Sequence, residues 1–363
     1  MHFCVQFKVR LRMKPWVCIN MKKLVLYAFP LAVLISLGML SGCGPKESGQ
    51  STSVEKPIVQ PPVFNADSAY SFVRQQVDFG PRIPNSPAHR KAGDYLIEQL
   101  KKYGASVTVQ AFEASTYDGH RLALRNIIGS FFPERQKRIL LAAHWDTRPF
   151  ADKDENPAAK FDGANDGASG VAVLLEIARV LQNGQPPAVG IDIIFFDGED
   201  WGHDTETWDK IGKGKPANFP LPAGLDSWWC LGSQHWSKNK HKPNYSAYYG
   251  ILLDMVGARN SHFFKEGVSM QYAPAVTNKI WKAASQLGYG SLFVNREVGG
   301  ITDDHAFVNE IAKIPMVNIV HYHPELGFFG DYHHRRKDNL DLIGKETLEA
   351  VGRVLMAVIY SEE

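Results

Sequence analysis

The sequence predicts an α/β protein, a three-layer α/β/α sandwich around a central mixed, mostly parallel sheet. Three observations carry this expectation. Two short apolar runs, Ile139-Leu140-Leu141-Ala142-Ala143 and Ile191-Asp192-Ile193-Ile194-Phe195-Phe196, are bounded by turn-type residues and read as buried strands. Between them, an Ala/Val/Leu-rich segment ending at Leu181 reads as a crossover helix. Polar residues gather where the runs stop: His144-Trp145-Asp146-Thr147 after the first and Asp197-Gly198-Glu199-Asp200 after the second. In open α/β sheets, ligands bind outside the carboxyl ends of the strands. An imidazole and several carboxylates at such ends are what a divalent metal site requires.

Composition sets the outer bounds. The chain has 363 residues, 44% hydrophobic and 21% charged, ordinary for a soluble globular protein. A formal charge of +2 leaves no electrostatic footprint for nucleic acid or a membrane surface. Of the four cysteines, Cys4, Cys18 and Cys43 lie at or before an expected processing site. Only Cys230 remains, so there is no disulfide framework, and it reads as packed beside Trp228 and Trp229.

In chain order, Met21-Lys22-Lys23 followed by the apolar Leu24 to Leu40 has the anatomy of a secretory signal, with residues 1–20 as an upstream extension. Leu40-Ser41-Gly42-Cys43 resembles a bacterial lipobox, which implies lipid attachment at Cys43 in the cell envelope, facing the periplasm. The alternative is a transmembrane helix, but the run contains Pro30, Ser36 and Gly38 and closes on small residues. Residues 1–42 are therefore expected to be extension and signal, 43–64 a flexible tether, and 65–363 the folded domain. Helices are expected over 67–77 and 88–103, the second with Ala92, Leu96 and Leu100 at four-residue spacing and Gly104 as a stop. Strands are expected over 107–112 and 122–128, ahead of the central strand–helix–strand stretch. Residues 201–236 form a Trp-rich excursion without a regular period. Further strands are expected over 247–256 and 314–320, and helices over 273–287, 304–309 and 347–360.

The candidate site residues are His144, Asp166, Glu199, Asp200, Asp254 and His334. Each has a plainer reading when taken alone: a hydrogen-bonded His, an Asp166 that caps the next helix, a solvated Glu-Asp turn. As a set they are harder to dismiss, because each stands at a strand end or in a Gly-rich loop beside one. Asp, Glu and His without a nearby Cys cluster favour a hydrolytic type of zinc site over a structural one.

These motifs carry a resemblance: Ala143-His144-Trp145-Asp146-Thr147, the Gly-rich run Asp162 to Gly170, Phe195 to Asp200, Leu231-Gly232-Ser233, Leu253-Asp254-Met255, Thr302-Asp303-Asp304-His305, and His334 followed by Asp338-Asn339. Over residues 65 to 360 the chain resembles the zinc aminopeptidase (M28-type) superfamily and, within it, the glutaminyl-peptide cyclotransferases. The resemblance implies one zinc on Asp166, Asp200 and His334, with Glu199 as general acid/base and Asp254 and Asp303 orienting the reacting groups. His144 and Asp254 would support the site, or hold a second zinc if the protein is an aminopeptidase. The chain departs from many relatives in having Asp200 for Glu, His333 for a Trp before the zinc His, and Asn318 for a His. His333 rivals His334, and the choice of His334 rests on its spacing to Asp338 and Asn339.

Cyclisation and hydrolysis both need a metal to polarise a carbonyl and a carboxylate to move a proton. Cyclisation also needs water kept away and the substrate folded back on itself. The Asp303-Asp304-His305 run resembles the cyclase pattern, where peptidases usually have Ser before Asp-His. Five Trp residues between 201 and 236 suit an apolar pocket; most of them read as core packing, with Trp201 or Trp208 expected to line the pocket together with His333. The expected substrates are N-terminal Gln peptides or proteins. The alternatives are a zinc aminopeptidase on the same fold and a non-catalytic envelope binding protein, which the intact site disfavours.

Overall fold

The computed structural model describes residues 61–203, 221–323, 325 and 329–363. The signal, Cys43, the tether as far as residue 60, and Trp208 lie outside the described residues.

Eight strands are present among the described residues: β1 (Ser106–Ser115), β2 (Arg121–Phe131), β3 (Arg138–His144), β4 (Gly190–Phe196), β5 (Tyr249–Asp254), β6 (Phe263–Lys265), β7 (Phe293–Glu297) and β8 (Met316–Val320). Six form the central sheet in the order β1-β2-β4-β3-β5-β8. The β1/β2 and β2/β4 pairs are antiparallel, and β3/β4, β3/β5 and β5/β8 are parallel, so the sheet is mixed and mostly parallel as expected. The helices are α1 (Ala66–Asp78), α2 (Pro87–Lys102), α3 (Ala168–Asn183), α4 (Leu231–Lys238), α5 (Gly267–Tyr272), α6 (Pro274–Gln286), α7 (Asp304–Phe307) and α8 (Lys345–Tyr360). The first two start where side chains satisfy orphan N–H groups: Asn65 Oδ1 accepts from Ser68 at 2.9 Å and Ser86 Oγ from His89 at 3.1 Å.

Strand alternation sorts the core into two layers. Ile139, Leu141, Ala143, Ile191, Ile193 and Phe195 face α1, α2, α3, α6 and α8, whereas Leu140, Ala142, Ile194 and Phe196 meet Trp236 of α4 and Val308 beyond α7. Each buried aliphatic or Phe side chain contributes about 1.5–3 kcal/mol relative to exposure. Asp192 falls on the second face in mid-strand, where an unpaired charge would cost several kcal/mol. Its carboxylate is satisfied by Arg138 Nε and Nη2 at 2.5 and 2.8 Å, Ser130 Oγ at 2.6 Å and the Tyr245 hydroxyl at 2.9 Å.

Among the described strands and α-helices, four went unforeseen: α4, α5, and the β6/β7 pair that forms a separate two-stranded sheet. They are short, and the periodicity that marks longer elements has no room to appear in three to eight residues. The expected short helix at 304–309 is α7, which runs on into a π-helical turn at Val308–Ala312.

Candidate active site

Three strand ends and two loops deliver the site. β3 ends at His144, β4 leads into Asp197-Gly198-Glu199-Asp200, and β5 ends at Asp254. The turn after β4 is held by Asp146, whose two carboxylate oxygens accept the backbone N–H groups of Glu199 at 3.1 Å and Asp200 at 3.2 Å. Gly198, at φ +70°, supplies the left-handed residue that the turn needs. The loop bearing Asp166 hangs on two other groups. Buried Arg82 donates to the carbonyls of Trp145, Asp162 and Gly163 at 3.2, 2.7 and 2.7 Å. Asp338 accepts the backbone N–H groups of Asn165 at 2.6 Å and Asp166 at 3.0 Å. Arg82 and Asp146 were missed in the sequence. Their only signals were an arginine set between Pro81 and Pro84 and an aspartate two residues beyond a strand-end histidine. Asp166 does not cap α3: the N-cap is Gly167, which makes no side-chain capping bond. A Cβ on Gly167 would lie 2.7 Å from the His144 ring, so glycine is what lets this loop close on β3.

Asp166 stands between two histidines. His144 Nε2 is 3.0 Å from its Oδ1, and His334 Nε2 is 3.8 Å from its Oδ2. His144 Nε2 also lies 3.3 Å from Asp254, and His334 Nε2 lies 3.2 Å from Asp200 despite the short arm of that aspartate. Among the described residues, three groups place one donor atom each within 4.8 Å of one another: Asp166/His333/His334, His144/Asp166/Asp254 and Glu199/Cys230/Asp303. Asp200 Oδ2 is buried with no hydrogen-bond partner among the described residues. A bare carboxylate oxygen in that setting is costly unless a cation meets it. The donor set of carboxylates and imidazoles around Asp166 thus fits a divalent metal.

The buried charges shape one another. Burial lifts Glu199 well above the usual carboxylate range, and the negative Asp200, Asp303 and Asp304 add to this against the opposing pull of His144. Asp254 is pushed up to about 7 by burial and by Asp303 and Asp166, again opposed by His144. Asp303 is also raised by burial, while Asn318 Nδ2 donates to its Oδ2 at 2.6 Å. In His144, burial is outweighed by Asp146, Asp166 and Asp254, which hold the imidazole well above its ordinary value. His333 moves the other way, well down, through burial and the charges of His334 and Lys153.

These groups open onto a cavity of about 430 Å³. Asp166, Glu199, Asp200, Asp254, Asp303 and His334 line its polar side, and Trp229, Phe329, Tyr322 and Ile301 its apolar side. His333 lines its wall. Trp201 does not. It packs with Ile83, Tyr117, Leu122, Leu124 and Leu231, and its Nε1 donates to Asp118 at 3.2 Å, because the chain after Asp200 turns it toward the outer end of β2. Trp229 takes the wall position instead. Cys230 is buried as expected, but its Sγ sits 3.3 Å from Glu199 Oε1 rather than only among tryptophans.

The model of Peptidase family M28 matches residues 126–359. Among solved structures, the glutaminyl cyclase of Bacteroides thetaiotaomicron bound to N-acetylhistamine is 48% identical, with a TM-score of 0.76 over 84% of this chain and 100% of that one. A Zn-dependent exopeptidase from Parabacteroides distasonis is also 48% identical, with a TM-score of 0.77 and the same coverage of 84% and 100%. The glutaminyl-peptide cyclotransferase of Dictyostelium discoideum is 24% identical over 313 residues, 77% of this chain and 81% of that protein. The family match spans the ends of β3, β4 and β5 and both loops that complete the site, and the chain belongs to peptidase family M28.

Proposed function

We propose that this M28 enzyme is a zinc-dependent glutaminyl-peptide cyclotransferase that converts the N-terminal Gln of peptides or proteins to pyroglutamate and releases ammonia. The observation that carries the reading is Asp303: a second buried carboxylate facing Glu199 and Asp254 across one small, part-aromatic cavity. Similarity to bacterial glutaminyl cyclases at 45–48% identity supports it. Asp166, Asp200 and His334 would hold one zinc. When bound there, zinc supplies a Lewis acid for the side-chain carbonyl of the substrate.

The chain's own residues do the rest. A bond forms between the α-nitrogen and the carboxamide carbon, and the bond from that carbon to the side-chain nitrogen breaks. Glu199 takes the proton shed by the α-amine and delivers it to the departing ammonia; a carboxyl raised toward neutrality is suited to both steps. Asp254 and Asp303 share a proton, which leaves an acceptor for the amine without a full second negative charge. Trp229, Phe329 and Ile301 cover the reacting end and keep water from competing.

Zinc aminopeptidase is the second reading. The His144/Asp166/Asp254 group favours it, because it could hold a second metal. One tightly bound zinc per chain supports the cyclase, and two support the peptidase. The protein is further proposed to be a lipoprotein of the bacterial envelope, anchored at Cys43, facing the periplasm and tethered by residues 44–64, on the strength of the Leu40-Ser41-Gly42-Cys43 motif. The direct test of the chemistry at this site is Asp303→Ser. It should retain zinc and lose ammonia release on the order of 10²-fold or more; full activity in the variant contradicts the role given to Asp303.

A further inference from the structure

The loop after β3 carries more of the site than its motif suggests. Arg148 is completely buried and grips Asp152 with two bonds, Nε to Oδ1 at 2.9 Å and Nη2 to Oδ2 at 3.0 Å. Its Nη1 donates to the backbone carbonyls of Asp200 at 3.0 Å and Gly202 at 3.1 Å, and the guanidinium lies 4.8 Å from the centre of the Trp229 ring. Asp152 Oδ1 in turn lies 3.1 Å from His334 Nδ1. The next residue, Lys153, donates its backbone N–H to the His334 carbonyl at 3.3 Å. Asp154 accepts from the backbone and guanidinium of Arg336 at 2.7–3.0 Å. Residues 148–154 therefore hold both the ring and the backbone of His334, a non-glycine residue at φ +56° that costs energy to keep there.

We infer that Asp152, clamped by Arg148, is the positioning carboxylate that makes His334 rather than His333 the metal-binding histidine. The inference rests on the reading of Asp166, Asp200 and His334 as the ligands. An imidazole binds a metal through its unprotonated nitrogen, and the partner of the other nitrogen decides which one that is. In His334, Asp152 Oδ1 lies 3.1 Å from Nδ1, and a carboxylate there favours the proton on that nitrogen, which leaves the Nε2 lone pair on the side of Asp200 and Asp166, 3.2 and 3.8 Å away. His333 is wired in the opposite sense. Its Nδ1 lies 2.6 Å from Lys153 Nζ, which can only donate, so the proton sits on Nε2, the nitrogen facing Asp166 at 4.0 Å. Two adjacent histidines are sorted by two adjacent residues, an acceptor at 152 and a donor at 153. Arg148 couples the sorting to the Asp200 backbone, so one guanidinium fixes the placement of two ligands.

The test is zinc affinity of the full chain, measured by chelator competition, in wild type, Asp152→Asn and His333→Ala. Asp152→Asn keeps the size of the side chain and should weaken zinc binding about 10–100-fold. It should also narrow the gap between the thermal midpoints of zinc-loaded and zinc-free protein, which a purely structural role would leave unchanged. His333→Ala should keep affinity within about twofold of wild type, since only a lost ligand or its orienting partner reaches the tenfold range. Arg148→Lys, which keeps the charge and loses the two-bond grip, should fall between wild type and Asp152→Asn, and it serves if Asp152→Asn does not fold. Unchanged affinity in the folded 152 or 148 variant, or a loss in His333→Ala as large as theirs, overturns the inference. A wild-type protein that takes up no zinc overturns the ligand reading beneath it as well.

Discussion

In the proposed mechanism Glu199 both takes and gives a proton, and its surroundings fit that task. Its backbone N–H is fixed by Asp146 and its carbonyl accepts from the Cys230 N–H at 2.9 Å, so the carboxylate has little freedom to wander from the cavity. Glu199→Gln should keep zinc and lose turnover by about 10²–10⁴-fold, the range for a general acid/base. Asp200→Ala and His334→Ala should lose zinc as well as activity, because each removes one of the three proposed ligands. Metal analysis beside a steady-state assay separates the two outcomes; a Glu199→Gln protein with near wild-type turnover removes this residue from the mechanism. Glu199, Asp200 and Asp254 were legible in the sequence because a strand end advertises itself by an apolar run that stops. Cys230 and Trp229 were not. Nothing local ties position 230 to position 199, and among clustered tryptophans the sequence does not show which ring turns inward.

At the scale of elements, Glu266 ties together segments that are remote in sequence. It caps α5 by accepting from the Val268 N–H at 2.9 Å and the Ser269 N–H at 2.5 Å, and it accepts from the Ile301 N–H at 3.2 Å. Its Oε1 also lies 2.9 Å from His305 Nε2, beside the Asp303-Asp304 pair. Burial opposes its charge, but the His305 and Ser269 bonds win and bring its carboxyl down to about 2. A shift of that size from an ordinary Glu is worth on the order of 3 kcal/mol. The folded value is depressed, so this stability is present above a pH of about 4.5 and is lost as pH falls from there toward 2. Glu266→Gln should therefore lower unfolding free energy by about 2–3 kcal/mol at pH 7, and denaturant titrations should show the gap to wild type closing on acidification below about pH 4.5. A gap that stays constant down to pH 3 contradicts this account. The α5 cap was invisible beforehand because α5 itself is six residues long, whereas the longer α2 showed its four-residue spacing and its Gly104 stop.

At the scale of the whole molecule, a sheet covered on both faces leaves the carboxyl ends of β3, β4 and β5 as its reactive edge. That architecture was legible because apolar run length depends on burial, which a two-sided sheet imposes on its inner strands β3, β4 and β5 and on β8. What holds the edge together was less so: Arg82, Asp146 and Asp338 act on backbone groups, and backbone hydrogen bonding leaves little trace in residue order. The lipoprotein reading is tested by Cys43→Ser, which should abolish labelling by a fatty-acid probe; labelling that survives contradicts the anchor. The central claim is intramolecular attack rather than hydrolysis, and the mass of the product decides it. Incubated with the full chain, a Gln-initiated peptide should lose about 17 Da, the ammonia expelled when its own amine attacks the carboxamide, while a Leu-initiated peptide stays intact. Free Leu from the second peptide, with no ammonia from the first, would contradict the cyclase and leave the aminopeptidase.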